Sequence, residues 1–147
     1  MLKAKRPVEV ANGAYGTLEG CRVIKGARFS LSFDLNGTKG AASWDFLRMN
    51  ELDLYLPDES GFHDGHTRVH SGPDHPFHTD FYPGNGQGLD FEDLKAIEAF
   101  QFVSSVAEGH QGEPGFAEAL AVAGVQDAIM RSWESDSWED VSSLRRD

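Results

Sequence analysis

Histidine and carboxylate side chains are concentrated in residues 57–88, a segment that is also rich in glycine and proline. Imidazole and carboxylate groups can ligate a metal ion or hydrogen-bond a polar substrate, but they are also common in solvated loops. We favour solvated loop histidines and keep two alternatives: a metal site, and a role for His75 or His78 in binding a polar substrate. The set comprises His63, His66, His70, His75 and His78, with Asp64, Asp74 and Asp80 among them.

The spacing of the first two histidines is a weak metal signal. His63 and His66 would share a face only on a helix, where residues three apart are neighbours. Gly61 and Gly65 disfavour a helix at this point.

A glycine-rich run with the sequence YPGNGQG, Tyr82–Gly88, precedes the first strongly periodic segment. Glycines leave backbone amides bare, and a helix N-terminus favours oxygen-rich or anionic groups. The run lacks the Gly-x-Gly-x-x-Gly spacing and the Gly-Lys-Ser/Thr ending of phosphate-binding loops. It therefore predicts either a flexible turn or a loop that a polar ligand approaches closely.

Two further groups have structural interpretations that we prefer. Asp90, Glu92 and Asp93 begin a predicted helix, where the helix dipole favours negative charge, although carboxylates can also be catalytic. Large aromatic residues are more often core or interface anchors than a cofactor box. The aromatic group comprises Trp44, Phe46, Trp133 and Trp138.

The strands that must position these residues are predicted from turn signals and alternation. In residues 28–35, Phe29, Leu31, Phe33 and Leu35 alternate with polar residues, which predicts a half-buried antiparallel strand. Tight turns would join such strands into an antiparallel meander. Further strands are predicted over 15–24, over 52–56 and at 67–70, and residues 138–141 could add an edge strand.

Two amphipathic helices follow. Apolar residues recur at helical spacing from Leu94 to Val106 and again from about Gly115 to Trp133, and Gly109 supplies the stop of the first helix. The predicted fold class is α+β, with an open, mainly antiparallel β-sheet and two principal helices packed on one face. One domain over 1–147 is expected from a chain of 147 residues with 39% hydrophobic content.

Composition argues against several partners. A formal net charge of -11 argues against nucleic acid, whose binding needs a basic surface. No apolar run is long enough to span a membrane, and the basic N-terminus is not followed by a secretory signal. The single cysteine, Cys21, excludes an intramolecular disulfide framework, so we expect a cytoplasmic location.

Six short motifs occur in an order that is typical of one known domain. They are Asn12–Glu19, Asn36–Ala41, Met49–Leu52, Asp74–Phe77, Pro83–Gly88 and Asp127–Ser132. In this order they resemble the C-terminal α/β domain of the Gfo/Idh/MocA family, named for glucose-fructose oxidoreductase and inositol dehydrogenase. The resemblance covers about residues 8–141.

The resemblance implies a two-domain enzyme that transfers a hydride between NAD or NADP and a sugar or polyol carbon. In that family a Rossmann domain binds the cofactor and a Glu-Lys-Pro segment supplies a catalytic lysine, while a catalytic Asp and His precede the matched region. We therefore assign no catalytic, cofactor-binding or metal-binding residue to this chain. We expect the chain alone to bind no cofactor and to be inactive.

The resemblance also suggests substrate-binding residues. The sugar dehydrogenase branch usually has a Trp-Trp-Pro-Pro-Gly-His-Gly-like run followed by Gly-Tyr-Glu-His. This chain has Leu89 and Phe91 in place of the Tyr and His, which removes polar groups that could meet sugar hydroxyls. His75, Tyr82 and Asn85 are the remaining substrate-binding candidates.

Two functional hypotheses follow. The chain is either the substrate-side and oligomerisation portion of such a dehydrogenase, with a Rossmann domain in the full-length protein or on a separate subunit, or a stand-alone dimerisation or ligand-binding module. A sugar-like small molecule is the expected ligand. An exposed sheet face that carries apolar side chains predicts a homo-oligomer, most simply a two-fold dimer.

Overall fold

The computed structural model describes residues 3–58, 60–62 and 64–141. His63 of the histidine set lies outside these residues. The described strands are β1 (Lys3–Glu9), β2 (Tyr15–Cys21), β3 (Ser32–Gly37), β4 (Gly40–Asp45), β5 (Glu51–Tyr55) and β6 (Thr67–His70). The helices are α1 (His78–Phe81), α2 (Phe91–Glu108) and α3 (Phe116–Ser135), and a 3-10 turn at Phe46–Arg48 follows β4.

The predicted α+β class is confirmed, and so are the two principal helices, α2 and α3. The strands are divided between two antiparallel sheets rather than one, with β1 and β2 in the first and β3, β4, β5 and β6 in the second. The backbone also divides into two compact units, one formed by residues 1–26 with 105–147 and one by 27–104. The single domain over 1–147 stays a prediction beside this division.

The first unit contains the β1–β2 hairpin and α3. The hairpin turns at Gly13, whose φ of 85° is readily adopted by glycine, and its strands pair from Lys3 opposite Cys21 to Glu9 opposite Tyr15. Arg6 on β1 donates to the Ser132 carbonyl at 3.1 Å, and its guanidinium lies 5.0 Å from the centre of the Trp133 ring. These contacts attach the hairpin to α3.

Residues 138–141 do not form the edge strand that the sequence suggested. Arg131 explains the difference, because its guanidinium donates to the Glu139 carboxylate at 2.8 Å and to the Asp140 carbonyl at 3.0 Å. A carbonyl group that accepts from a side chain in this way is diverted from a strand ladder.

The second unit is built on the four-stranded sheet, in the order β3-β4-β5-β6 with every neighbouring pair antiparallel. The prediction of a strand at 67–70 is confirmed by β6. The strand predicted over 28–35 begins later, at Ser32, and runs to Gly37. Arg28 has a φ of 51°, which interrupts extended backbone at the predicted start.

The sheet has one apolar and one polar face. Phe33 on β3 stacks on Trp44 of β4 at 6.0 Å between ring centres, and Phe46 contacts both Trp44 and Phe91 edge-on. On the other face Asp34, Ser43, Asp53 and Arg68 lie opposite one another across the four strands. The sequence predicted an exposed face with apolar side chains, and on the aromatic face Phe33 and Leu35 are 43% and 62% exposed. The opposite face is polar and charged.

No helix among the described residues is both long enough and apolar enough to cross a membrane.

Candidate functional site

The loop after α1 is attached to the start of β5 by one side chain. The Asn50 amide oxygen accepts from the Leu89 backbone N–H at 2.9 Å, and its nitrogen donates to the Leu89 carbonyl at 2.8 Å. The same oxygen accepts from the Ser71 hydroxyl at 2.7 Å. Asn50 therefore joins three segments of the second unit that are distant in sequence.

Asn50 is itself held in place from β4. The indole N–H of Trp44 donates to the Met49 carbonyl at 3.0 Å, which fixes the backbone next to Asn50. The Asn50 carbonyl accepts from the Ser71 N–H at 2.8 Å. Trp44 thus serves as a core anchor, which is the interpretation that the sequence favoured.

Gly88 is required by this arrangement. A Cβ atom at Gly88 would lie 2.5 Å from the Cγ atom of Asn50, which is much closer than carbon atoms approach in proteins. Gly86, two residues earlier, has a φ of 81° and turns the loop.

The other end of the loop is attached to His78. This side chain is fully buried, and its two ring nitrogens lie 3.0 Å from the Tyr82 carbonyl oxygen and 2.8 Å from the Gln87 carbonyl oxygen. The Tyr82 N–H also donates to the His78 carbonyl at 2.8 Å. The Tyr82–Gly88 loop is consequently ordered by contacts at both of its ends.

The structure brings two of the predicted substrate-binding residues against one glycine. The ring nitrogen Nδ1 of His75 lies 3.0 Å from the Gly72 nitrogen, and a Cβ atom at Gly72 would lie 3.4 Å from the Asn85 side-chain oxygen. Both His75 and Asn85 are exposed, so their remaining polar atoms can meet a ligand. Their role in substrate binding stays a prediction.

Tyr82, the third candidate, points toward the start of α2. The negative charge of Asp93, together with burial, the charge of Asp90 and a hydrogen bond with Asp93, raises the pKa of the Tyr82 phenol above its usual value. A phenol that stays protonated can donate a hydrogen bond to a hydroxyl or carbonyl oxygen.

The acidic helix start has the structural role that the sequence favoured. The Asp90 carboxylate accepts from the backbone N–H groups of Glu92 and Asp93, and the Asp93 carboxylate accepts from the Asp90 N–H at 2.9 Å. These reciprocal bonds form a capping box at the N-terminus of α2.

The described histidines have separate surroundings. No group of three or more metal-ligating side chains lies together within residues 3–58, 60–62 and 64–141. His66 contacts the Tyr55 ring, His70 is exposed on β6, and His78 binds backbone carbonyls. The favoured prediction of solvated loop histidines therefore fails for His78.

The polar face of the four-stranded sheet forms a second polar region. Arg68 binds the Asp53 carboxylate through two nitrogens at 2.8 and 3.1 Å, and it lies 3.3 Å from Glu51. The bonds from Arg68 lower the pKa of Asp53 below its usual value. A shallow cavity of about 230 Å³ lies beside these residues, lined by Ser32, Asp34, Ser43, Trp44, Asp45, Arg48, Glu51 and Asp53.

Sequence reasoning missed the role of Asn50. Its partner Leu89 lies 39 residues away along the chain, so no local pattern indicates the contact. Gly88 supplied one indirect signal, because a glycine that ends a loop can mark close approach of another group.

The fold agrees with the class of protein that the sequence resembles. The comparisons with known proteins confirm the resemblance to the C-terminal domain of Gfo/Idh/MocA-type oxidoreductases. A scan against protein-family models gives no match.

The relatives are sugar dehydrogenases and related oxidoreductases. Levoglucosan dehydrogenase from Pseudarthrobacter phenanthrenivorans is 32% identical over 137 residues, which cover 93% of this chain and 35% of that protein. A solved structure of levoglucosan dehydrogenase with NADH and L-sorbose matches 94% of this chain and 37% of its own, with a TM-score of 0.86. The chain thus spans about a third of the length of these relatives.

A third relative supports the same architecture. The crystal structure of an oxidoreductase domain protein from Kribbella flavida is 30% identical and has a TM-score of 0.87, covering 96% of this chain and 37% of that one.

Proposed function

We propose that this chain forms the substrate-side and oligomerisation portion of an NAD(P)-dependent oxidoreductase that acts on a sugar, polyol or related carbohydrate. Support comes from the similarity to levoglucosan dehydrogenase over nearly the whole chain, since structures of that enzyme hold NADH with levoglucosan or L-sorbose. The observation that carries the proposal is the doubly anchored Tyr82–Gly88 loop, which presents polar side chains of the candidate site on a fixed backbone.

Hydride transfer is assigned to residues outside this chain. The Tyr82–Gly88 loop follows the short helix α1 rather than a strand, so it does not have the strand-turn-helix arrangement that binds a dinucleotide. The nicotinamide cofactor would supply the hydride chemistry when bound to a Rossmann domain. Within this portion, His75, Tyr82 and Asn85 would hydrogen-bond the substrate and orient it.

Reconstitution tests the proposal. The chain is mixed with, or joined to, the Rossmann portion of a levoglucosan dehydrogenase relative, and NADH formation is followed with levoglucosan, L-sorbose and a set of polyols. We expect no NADH binding and no activity for the chain alone, and activity after reconstitution. Absence of activity with every sugar, in a complex shown to form, would contradict the proposal.

Three variants examine the candidate residues in the reconstituted enzyme. His75→Gln, Tyr82→Phe and Asn85→Ala should each raise KM for the sugar, because each removes a polar group from the proposed binding surface. His70→Gln is the matched control, since His70 is exposed on β6 outside this loop. Equal KM values in all four variants would remove these residues from the site.

Association through the four-stranded sheet is the second part of the proposal. The polar face carries both acidic and basic side chains, so two copies can meet with opposite charges facing each other. Sedimentation should show a dimer, and Ser43→Tyr in the middle of this face should shift it toward monomer. Glu134→Tyr on exposed helix α3 is the control, and a wild-type monomer at every concentration would contradict association.

The stand-alone module stays as the alternative, and a cytoplasmic location stays part of the proposal. An antibody blot for the native gene product distinguishes the dehydrogenase portion from the stand-alone module. A band much larger than 16.2 kDa would favour the dehydrogenase portion, and a band at 16.2 kDa would favour either a separate subunit or a module.

A further inference from the structure

His78 has more hydrogen-bond acceptors around it than a neutral imidazole can satisfy. Its Nδ1 atom lies 3.0 Å from the Tyr82 carbonyl oxygen and its Nε2 atom lies 2.8 Å from the Gln87 carbonyl oxygen. A carbonyl oxygen only accepts, so each contact needs an N–H on the ring. The neutral ring carries one such N–H and the imidazolium carries two.

The two acceptors belong to the two ends of one short loop. Tyr82 directly follows α1 and donates its N–H to the His78 carbonyl on that helix. Gln87 immediately precedes Gly88, which packs against Asn50. Between them lie Pro83 to Gly86, with the turn at Gly86. A ring that donates to both carbonyls closes this segment into a loop of fixed span. A ring that donates to one releases the other carbonyl, so that either the Tyr82 end keeps its backbone bond to the His78 carbonyl or the Gln87 end keeps the attachment of Leu89 to Asn50.

The burial of His78 increases the effect of each bond. Because the ring is fully buried, water cannot replace either bond at the ring nitrogens without a local opening. The loop carries Asn85 at its tip and Tyr82 at its base, so a change in its span moves the exposed amide relative to the phenol.

The geometry points to His78 as a positioning residue: it holds the Tyr82–Gln87 loop in shape by donating from both ring nitrogens, and the loop loosens when the ring loses one proton. That the positioned groups face a sugar rests on the proposed function. His78 itself is fully buried and acts through Tyr82 and Gln87, not by touching the substrate.

Three elements that adjoin this loop carry titratable groups. Tyr82 contacts the His78 ring edge-on, with 6.4 Å between ring centres, and Asp90 and Asp93 at the start of α2 act on the Tyr82 phenol. Asp80 lies on α1 itself and is exposed. His75 precedes α1 and is bonded to Gly72.

Nuclear magnetic resonance of the full 147-residue chain tests the inference without any substrate. Ring ¹⁵N shifts report the protons on His78, and the ¹³C shifts of the Tyr82 and Gln87 carbonyls report the two hydrogen bonds. We expect both ring nitrogens to be protonated when the loop is closed. When the ring ¹⁵N shifts show that His78 has lost one proton at raised pH, one carbonyl shift should move with it and the Tyr82 and Leu89 amides should lose protection from exchange.

Two variants accompany the titration. His78→Gln should raise the exchange rates of those amides about tenfold or more, as expected for loss of a hydrogen bond from a fully buried side chain. His70→Gln should leave both carbonyl shifts and both amides unchanged. Two results would overturn the inference: a singly protonated His78 ring with both carbonyl shifts unchanged, or a pH-dependent carbonyl shift that persists in His78→Gln. The pH series on the wild-type chain tests the inference even if His78→Gln does not fold.

The reconstituted enzyme separates this inference from the proposed function. A positioning role predicts that His78→Gln raises KM for the sugar about tenfold while NADH binding is unchanged. If the spectra are as expected but KM is unchanged, His78 closes the loop but the loop does not position the substrate. Failure of reconstitution with the expected spectra would contradict the proposed function alone.

Discussion

The Tyr82–Gly88 loop, which Leu89 continues, and the polar face of the four-stranded sheet are both rich in hydrogen-bonding groups, but they are held by different kinds of interaction. In the loop, the buried or half-buried side chains of His78 and Asn50 bind backbone groups. On the sheet face, Arg68 binds the carboxylates of Asp53 and Glu51 while 44% of its side chain stays exposed. Water competes with the second set of contacts and hardly with the first.

This difference determines which side chains of the second unit can be replaced with little loss of stability. A backbone acceptor that is buried with one donor has no alternative partner, so the donor residue is required. An exposed carboxylate has water as an alternative, so its partner can be changed at small cost. Substitutions in the loop should therefore destabilise more than substitutions on the sheet face, and the four variants below test that order.

Asn50→Ala should have the largest effect. It removes three side-chain hydrogen bonds, to Ser71 and to both backbone groups of Leu89, and leaves half-buried groups without partners. We expect a loss of about 3 kcal/mol in the free energy of unfolding, measured by urea titration with tryptophan fluorescence.

Asn36→Ala is the matched control for Asn50→Ala. Asn36 is exposed on β3, so its replacement should change stability by less than about 0.5 kcal/mol. Equal losses of stability in the two asparagine variants would mean that Asn50 contributes no more to the free energy of unfolding than an exposed asparagine does.

Gly88→Ala should have the next largest effect, a loss of about 2 kcal/mol from overpacking. The new methyl group would overlap the Asn50 side chain, with the nearest atoms at 2.5 Å. Gly65→Ala is the control, since a Cβ atom there meets no atom within 4 Å.

A double-mutant cycle sharpens the Gly88 prediction. In an Asn50→Ala background the overlapping atoms are absent, so Gly88→Ala should then cost far less than in the wild-type chain. A cost that is the same in both backgrounds would show that the Asn50 side chain does not define the space beside Gly88.

Asp90→Ala should cost about 1 kcal/mol, the usual value for a lost helix N-cap. Asp90 lies between the two regions in character, because its carboxylate is exposed but accepts from two backbone N–H groups. Asp90→Asn is the conservative comparison, since asparagine also caps helices and should retain most of the stability. A loss as large in Asp90→Asn as in Asp90→Ala would indicate that charge rather than capping is the main term.

Sequence patterns predicted the parts of the fold that depend on local periodicity. The β5 strand and the helices α2 and α3 follow from alternation and helical spacing within their own residues. The late start of β3 did not, because the positive φ of Arg28 leaves no mark in the alternation of its neighbours.

The candidate site was only partly predictable for a related reason. Tyr82 and Asn85 were singled out from their own loop and from a family resemblance, but their anchors lie elsewhere. Asn50 acts on residues 39 positions away, and the burial of His78 distinguishes it from the exposed His70 and His75 although all three share a residue type. Burial and long-range pairing are consequences of the tertiary fold and have no local signature.

Arg68→Gln should have the smallest effect, and its dependence on pH and salt should differ from that of the loop variants. Hydrogen bonds from Arg68 hold the pKa of Asp53 below its unfolded value of about 3.9. Such a carboxyl adds stability above that pH, and the contribution is lost as the pH falls through the lower folded-state pKa. The stability gap between the wild-type chain and Arg68→Gln should therefore narrow on acidification below about pH 4, and it should also shrink with added salt.

Lys95→Gln is the control for Arg68→Gln. It removes a cation from α2, where Lys95 pairs with Glu98 instead, and it should not reproduce the narrowing of the stability gap. A gap that stays constant in acid and in salt would mean that the Arg68 side chain stabilises the sheet by packing, which would make the polar face resemble the loop more closely than its exposure suggests.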